Sequence, residues 1–385
     1  MRKLLVLIAA GAFLVAYTAP AIAAEWDFFG SVRFRTFMAD DSEKSPGAAG
    51  TFSDSDLHWG RHCDNAIGAS VSAGDISGRF MYRPLEAHDV IHGGDFAQLS
   101  ATWDFGGGSL LIGKDLGPVN FFPSGQVWMD DMGLVGFGGI FTYFKPLMMA
   151  TFGNFKVALG EPETSIPVLP VGTNPSFVCI NNPWSGGATT TGFADVDTSI
   201  PKIEASYGFA AGPVALSIMG GYQTYDEVNT ATDKAYSIDS YIFGVGFKIG
   251  LGAAYINGDV FSGQNLGQYH TTFQQGDDDV RYDAATDKII DNTSMGYCLV
   301  FGYKISDMLA IEAGYGYQEH ELDRAGTWED DLASYYVQLP INVAEGVTIT
   351  PEIGMVDYLD YSMADGIKTE QGDTTYYGAR WMINF

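Results

Sequence analysis

The sequence predicts an all-β chain, a transmembrane antiparallel β-barrel of about 16 strands with short periplasmic turns and long extracellular loops. Three observations carry this. The N-terminus reads as an export signal. Hydrophobicity then repeats with period two almost to the last residue. The connectors between the repeating runs alternate between very short and long. Composition agrees: of 385 residues 14% are aromatic, 17% are charged and 48 are Gly, against about 25% charged and 7% Gly in ordinary soluble domains. The net charge of −27 argues against a nucleic-acid partner, which needs basic patches. Three cysteines in so long a chain exclude a disulfide-stapled miniprotein.

Residues 1–24 have the three parts of a signal peptide. Arg2 and Lys3 are the positive region, 4–15 the apolar run, and Ala21, Ile22 and Ala23 the small-residue cleavage site. The run is short for a membrane anchor and no Cys follows it, so neither an anchor nor a lipoprotein is expected. Residues 25–385 are expected to be a single barrel domain. Beyond the signal no run of 18 apolar residues remains, the nearest being the Gly-rich stretch 132–144, so membrane helices are excluded.

The alternation is clearest at the C-terminus. Tyr377, Ala379, Trp381, Ile383 and Phe385 alternate with Gly378, Arg380, Met382 and Asn384. It recurs with Met295, Tyr297, Leu299, Phe301 and Tyr303 on one side and Gly296, Cys298, Val300, Gly302 and Lys304 on the other. A barrel wall requires this, because one face meets lipid and the other water. Strands are expected near 25–38, 58–72, 76–85, 96–105, 109–114, 146–152, 155–161, 200–209, 213–225, 236–249, 251–256, 294–305, 308–319, 332–343, 347–356 and 374–385. Tight turns such as Gly106-Gly107-Gly108 and Gly153-Asn154 join them on one side. Long polar segments join them on the other: about 39–57, 86–95, 115–145, 162–199, 226–235, 257–293, 320–331 and 358–373.

The ending YYGARWMINF resembles the last strand of Gram-negative outer-membrane barrels, which commonly close on a terminal aromatic. Tyr377, Trp381, Ile383 and Phe385 are accordingly expected to face lipid and to serve closure and assembly. Sixteen strands with a long segment after the fifth resemble the trimeric general porins. The stretch FKPLMMATFGNFKVALGEPE at 144–163 is also similar to the homotrimeric porins of sulfate-reducing deltaproteobacteria. The resemblance implies a homotrimeric, multi-pass protein of the bacterial outer membrane, in contact with its lipid and lipopolysaccharide. It implies a water-filled channel for small hydrophilic solutes and ions, not an enzyme. It also implies that the segment 115–144 folds inward to narrow the pore.

Charge adds a second layer. Most acids fall in the expected loops, among them Asp277, Asp278, Asp279, Asp283 and Asp287, then Glu319, Glu321, Asp323, Glu329, Asp330 and Asp331. They serve solubility, or bind divalent cations that bridge to anionic lipopolysaccharide. The lumen parity is basic, with Arg33, Arg35, Arg79, Arg83, Lys156, Lys202, Lys248, Lys304 and Arg380 against Glu204, Glu312 and Glu352. The expected constriction sets Asp115, Asp130 and Asp131 of the inward segment across the pore from Arg33, Arg35, Arg79, Arg83, Lys202 and Arg380. Separated rows of opposite charge would orient dipolar solutes. The acidic balance suggests a weak cation preference. The basic wall supports an alternative, a solute-specific channel for small anions, and the long loops support another, an adhesin or structural barrel.

The remaining motifs are weak. His58 and His62 are four residues apart, which on a strand spans about 13 Å and is too far for one metal ion. His88 and His92 lie in a loop with Glu86, Asp89 and Asp95, where a metal site is conceivable. Cys63 and Cys179 could bridge, whereas Cys298 reads as a wall residue. No nucleophile elbow, phosphate loop or zinc motif occurs, so no cofactor and no metal centre is expected.

Overall fold

A computed structural model describes residues 24–42, 55–62, 64–83, 95–164, 169–170, 193–229, 233–269, 278–324, 329–362 and 368–385. Residues 1–23, where the sequence places a signal peptide, and Cys63, Cys179, His88, His92 and Asp277 lie outside them.

The chain is a closed antiparallel barrel of sixteen staves. They are β1 (Glu25–Asp41), β2 (Ser55–Arg61 continuing as Ala66–Ala73), β3 (Ile76–Arg83), β4 (Asp95–Asp104), β5 (Ser109–Leu116), β6 (Phe144–Phe152), β7 (Phe155–Gly160) and β8 (Lys202–Ala211). The second half comprises β9 (Val214–Asn229), β10 (Lys234–Leu251), β11 (Ala254–Gln264), β12 (Asn292–Lys304), β13 (Ala310–Leu322), β14 (Glu329–Gln338 continuing as Ile341–Ala344), β15 (Val347–Asp357) and β16 (Asp373–Asn384). Each pairs with its chain neighbours. β16 closes on β1 in a register running from Ser31↔Asn384 to Asp41↔Thr374. Closure joins the first and last strands, so the barrel does not end in two open edges, which a lipid environment demands.

The alternation is realised as two faces. Trp26, Phe28, Leu99, Trp103, Phe243, Leu299, Phe301 and Trp381 project outward and are exposed. They form the apolar, aromatic-rich surface of a membrane barrel. Their neighbours of opposite parity point into the lumen. Among the described residues no helix is long and apolar enough to cross a membrane; the strands do so.

Several boundaries differ from the sequence expectation. β11 continues to Gln264 where a loop from 257 was expected. Its stretch NGDVFSGQ looks like loop because Phe261 faces inward, and that ring is buried only because loops cover it. The ends of β13 and β14 carry Glu319, Glu321, Glu329, Asp330 and Asp331, which were expected in a loop. β2 is interrupted between Arg61 and Ala66, where Asn65 N–H donates to the His62 carbonyl. β14 breaks before Pro340, which has no N–H to offer the ladder.

The walls are unequal. Strands β3 to β7 have between six and ten residues, whereas β9 and β10 have 16 and 18. The turns at 74–75, 106–107, 153–154, 212–213, 252–253 and 345–346 share one end of the barrel. The other end carries the loops, numbered L1 to L8 in chain order. L4 (161–201) and L6 (265–291) meet there in a small sheet: Arg281–Asp283 pairs with Lys288–Ile290 and runs parallel to Leu169–Pro170.

Candidate functional site

L3, residues 117–143, joins β5 to β6 and packs on side chains of lumen parity. Two wall carboxylates hold its backbone. Glu352 accepts from the N–H groups of Val127 (2.8 Å) and Trp128 (3.0 Å). Glu312 accepts from the N–H of Gly125 (2.8 Å). Gln126 donates to the Tyr376 hydroxyl (2.9 Å) and Ser334 Oγ (3.1 Å), and takes the Leu134 N–H. These bonds satisfy loop backbone that would otherwise be buried unpaired. Trp128 stacks on Tyr376 and meets Phe37 and His58 edge-on. Further along, Gly138 has φ +96°, and a Cβ there would lie 2.1 Å from the Tyr297 carbonyl oxygen. Only glycine lets the loop lie so close to β12.

The loop's tip is a turn in which Met129, Asp130 and Asp131 all have positive φ (50°, 64° and 63°). Non-glycine residues in this region cost roughly 1–2 kcal/mol each and persist where surroundings impose them. Here the surroundings are charges. Arg35 and Arg380 lie directly opposite each other in the β1–β16 register, with Arg33 two residues away. Like charges so placed repel. Asp131 answers them, bonding Arg33 and, at 2.7 Å, Arg380; Asp130 bonds Arg35 at 2.9 Å. The β2 interruption adds Asp64, which bonds Arg83 (2.8 Å) and Arg33 (3.3 Å). The buried His62 ring lies 3.7 Å from Asp130 and 3.5 Å from Asp131. Burial would raise the Asp131 carboxyl, but the contact and charge of His62, then Arg380 and Arg33, outweigh it and hold its pKa at about 2.

This corrects the expected arrangement of the constriction. Asp130 and Asp131 do not face the basic row across water; they touch it, because three crowded guanidinium groups draw the tip onto their own wall. Among the described residues Arg83 joins the cluster through Asp64 alone. Arg79 is outside it, exposed to the lumen, donating to Gln98 (2.9 Å) and lying over the Phe29 ring. Among the described residues Asp115 meets no base; it accepts from Gln98 and Ser100. Lys202 is buried on a different wall; its Nζ donates to the Tyr269 carbonyl and lies 3.9 Å from Glu204. Glu204 is bonded by Lys145. Tyr377, Trp381, Ile383 and Phe385 all project outward and are exposed.

Sequence reasoning weighed His62 only as a metal partner of His58, and it missed Asp64, Trp128, Gln126 and Tyr376. Tyr376 was findable, since alternation with Tyr377 puts it on the lumen side. Asp64 was hidden by the strand interruption. His62, Asp64 and Asp131 bring potential metal-ligating atoms within 4.8 Å of one another. However, the two carboxylates already bond Arg33, Arg83 and Arg380, and that surplus of fixed cations suits an ion-pair network better than a metal.

No family model matches the chain, and no curated protein matches it. Solved structures do. The outer membrane channel DcaP of Acinetobacter baumannii superposes with a TM-score of 0.66 at 13% identity, covering 95% of this chain and 99% of that one. OmpF of Salmonella typhi gives 0.58 at 11% identity, with 95% and 99% covered. An anion-selective porin from Comamonas acidovorans gives 0.55 at 13%, with 94% and 100% covered. The fold is that of the outer-membrane porin barrel. With its lipid-facing aromatic surface, this barrel is a multi-pass protein of the bacterial outer membrane.

Proposed function

We propose that the protein is a porin, a passive water-filled channel for small hydrophilic solutes, narrowed by L3. The observation that carries this is L3 itself, twenty-seven residues held inside a closed barrel by lumen-facing Glu312, Glu352, Arg33, Arg35 and Arg380. Exposed charges of lumen parity, Arg79, Lys156 and Lys248, mark the space left beside it as wet. Purified protein in planar bilayers should give ohmic single-channel steps; a silent barrel would leave the adhesin or structural reading.

The wall favours small anions. Its acids are largely engaged: Glu312 and Glu352 by L3 backbone, Glu204 by Lys145, and Asp64, Asp130 and Asp131 by arginines. Arg79, Lys156 and Lys248 remain exposed; Asp27 stands in the row of Arg79 and Asp104 in the row of Lys156, so the basic excess at this level is carried by Lys248. The net charge of the chain, which suggested cations, includes acids at the loop end such as Glu321 and Asp323, whose field decays over about 8 Å at physiological salt. Replacing Arg79, Lys156 and Lys248 together with Gln should move the reversal potential in a salt gradient toward cations.

A homotrimer fits the unequal walls. Strands of about eight residues, at about 3.3 Å each and tilted near 40°, rise only about 20 Å, less than the ~25 Å apolar band of such barrels. Lateral association through β3 to β7 would shield that low wall. Cross-linking in mild detergent tests it. The narrower kinship with deltaproteobacterial porins rests on the 144–163 stretch.

A further inference from the structure

L6 enters the barrel before it forms the outer sheet. Immediately after β11 it makes a single helical turn, Leu266–Tyr269, whose Leu266 and Tyr269 side chains are fully buried. They form one apolar cluster with Val119 and Ile140 of L3 and with Met219, Ile242 and Phe261 of the wall; Phe121 of L3 packs on its edge. L3's outgoing and returning arms are thus gripped between L6 and β9 to β11.

The turn is pinned by polar groups on the wall. Lys202 Nζ donates to the Tyr269 carbonyl (2.5 Å) and Gln223 Nε2 to the Gln268 carbonyl (2.6 Å). The Tyr269 hydroxyl donates to Glu204 (3.1 Å). Lys145, at the base of L3's returning arm, bonds the same carboxylate and also Thr142. The wall makes room: a Cβ on Gly221 would lie 1.8 Å from the Tyr269 hydroxyl. On its outer side the turn is tied to the rest of L6, because Val280 N–H donates to Gln268 Oε1 (2.9 Å) and Gly267 N–H to the Asp278 carbonyl (3.2 Å). Residues 281–283 then continue into the L4–L6 sheet.

We propose that this turn is a strap that keeps L3 seated, and that Leu266 and Tyr269 are positioning residues which set the size limit of the channel without touching the solute. The inference rests on the channel reading above. Glu312, Glu352 and the arginines secure only the middle and tip of L3. Asn257 donates to the Pro123 carbonyl and Gly138 lies on β12, but the strap clamps both arms together through Val119 and Ile140, and L3 cannot lift there unless Leu266 and Tyr269 leave their cluster. Removing a buried leucine side chain from such a cluster is among the costlier single changes in a protein, and here the cost falls on L3 seating.

The test uses the full-length protein with Cys63→Ser and Cys179→Ser. Cys298 is then the one thiol; it is buried in the cluster that contains Leu134 and Phe137 of L3, so its maleimide labelling rate reports L3 unseating. In Leu266→Ala and Tyr269→Ala, labelling should accelerate about tenfold or more. Swelling of reconstituted liposomes should rise strongly for a trisaccharide and little for a monosaccharide. Heat-modifiable mobility on gels confirms that the barrel has formed. If the alanine variants do not assemble, Leu266→Val and Tyr269→Phe carry the same two readouts with smaller shifts in the same direction. Assembled variants with unchanged labelling, or with faster labelling and an unchanged size limit, overturn the strap. A parent that swells no liposomes overturns the channel reading, and the labelling still decides whether L6 seats L3.

Discussion

Trp128 lies flat on Tyr376, with ring centroids 4.4 Å apart and ring planes 6° from parallel. One ring belongs to L3 and the other to the closing strand β16, so the stack welds the inward loop to the place where the barrel joins its own ends. Truncation of a buried Trp costs about 3–5 kcal/mol. Trp128→Ala should therefore free the middle of L3 while the barrel still forms. Single-channel conductance should rise and the open-channel current become noisier; a quiet, unaltered channel would show that Glu312 and Glu352 suffice.

The arginine cluster gives a second expectation. Asp130→Asn with Asp131→Asn leaves Arg33, Arg35 and Arg380 without their loop partners. The released cations should shift the reversal potential toward anions and change conductance. A double variant that conducts and selects like the parent would contradict the role given to the tip.

The same tip fixes a pH dependence. The Asp131 pKa is lowered from an ordinary 3.8 to about 2. A carboxyl whose pKa is depressed in the folded state stabilises that state fully above its ordinary value and loses the contribution as pH falls through the depressed one. Conductance should thus change between pH 4 and pH 2 as the tip releases, and titration of Asp131 should contribute nothing between pH 7 and pH 5. In Asp131→Asn the acidic step should diminish.

Barrel closure supplies the last expectation. Phe385 N–H donates to the Gly30 carbonyl (3.0 Å) and the Gly30 N–H to the Phe385 carbonyl (2.7 Å), beyond the last pairs of the β1–β16 ladder. The Phe385 ring is 72% exposed toward lipid. Deleting Phe385, or replacing it with Asp, removes these bonds or puts a charge at the membrane interface. Assembled protein in the outer membrane should fall severalfold; normal levels would separate closure from the terminal aromatic.

The period of two is a local property, since successive side chains of any strand point to opposite faces. Sequence alone therefore determined the sixteen staves, the lipid face of Tyr377 and Trp381, and the lumen parity of Arg33, Arg35, Arg380, Glu312 and Glu352. It also marked L3 by its length and place. It misplaced the end of β11 because an inward Phe261 contradicts the pattern until a loop covers it. What only the tertiary structure decided is which charges meet. Asp131 and Arg380 are 249 residues apart, and Lys202 and the Tyr269 carbonyl are 67 apart. No local period encodes such distances. The pairings follow from barrel closure, which crowds Arg35 against Arg380, and from the high cost of leaving those charges and the buried loop backbone without partners.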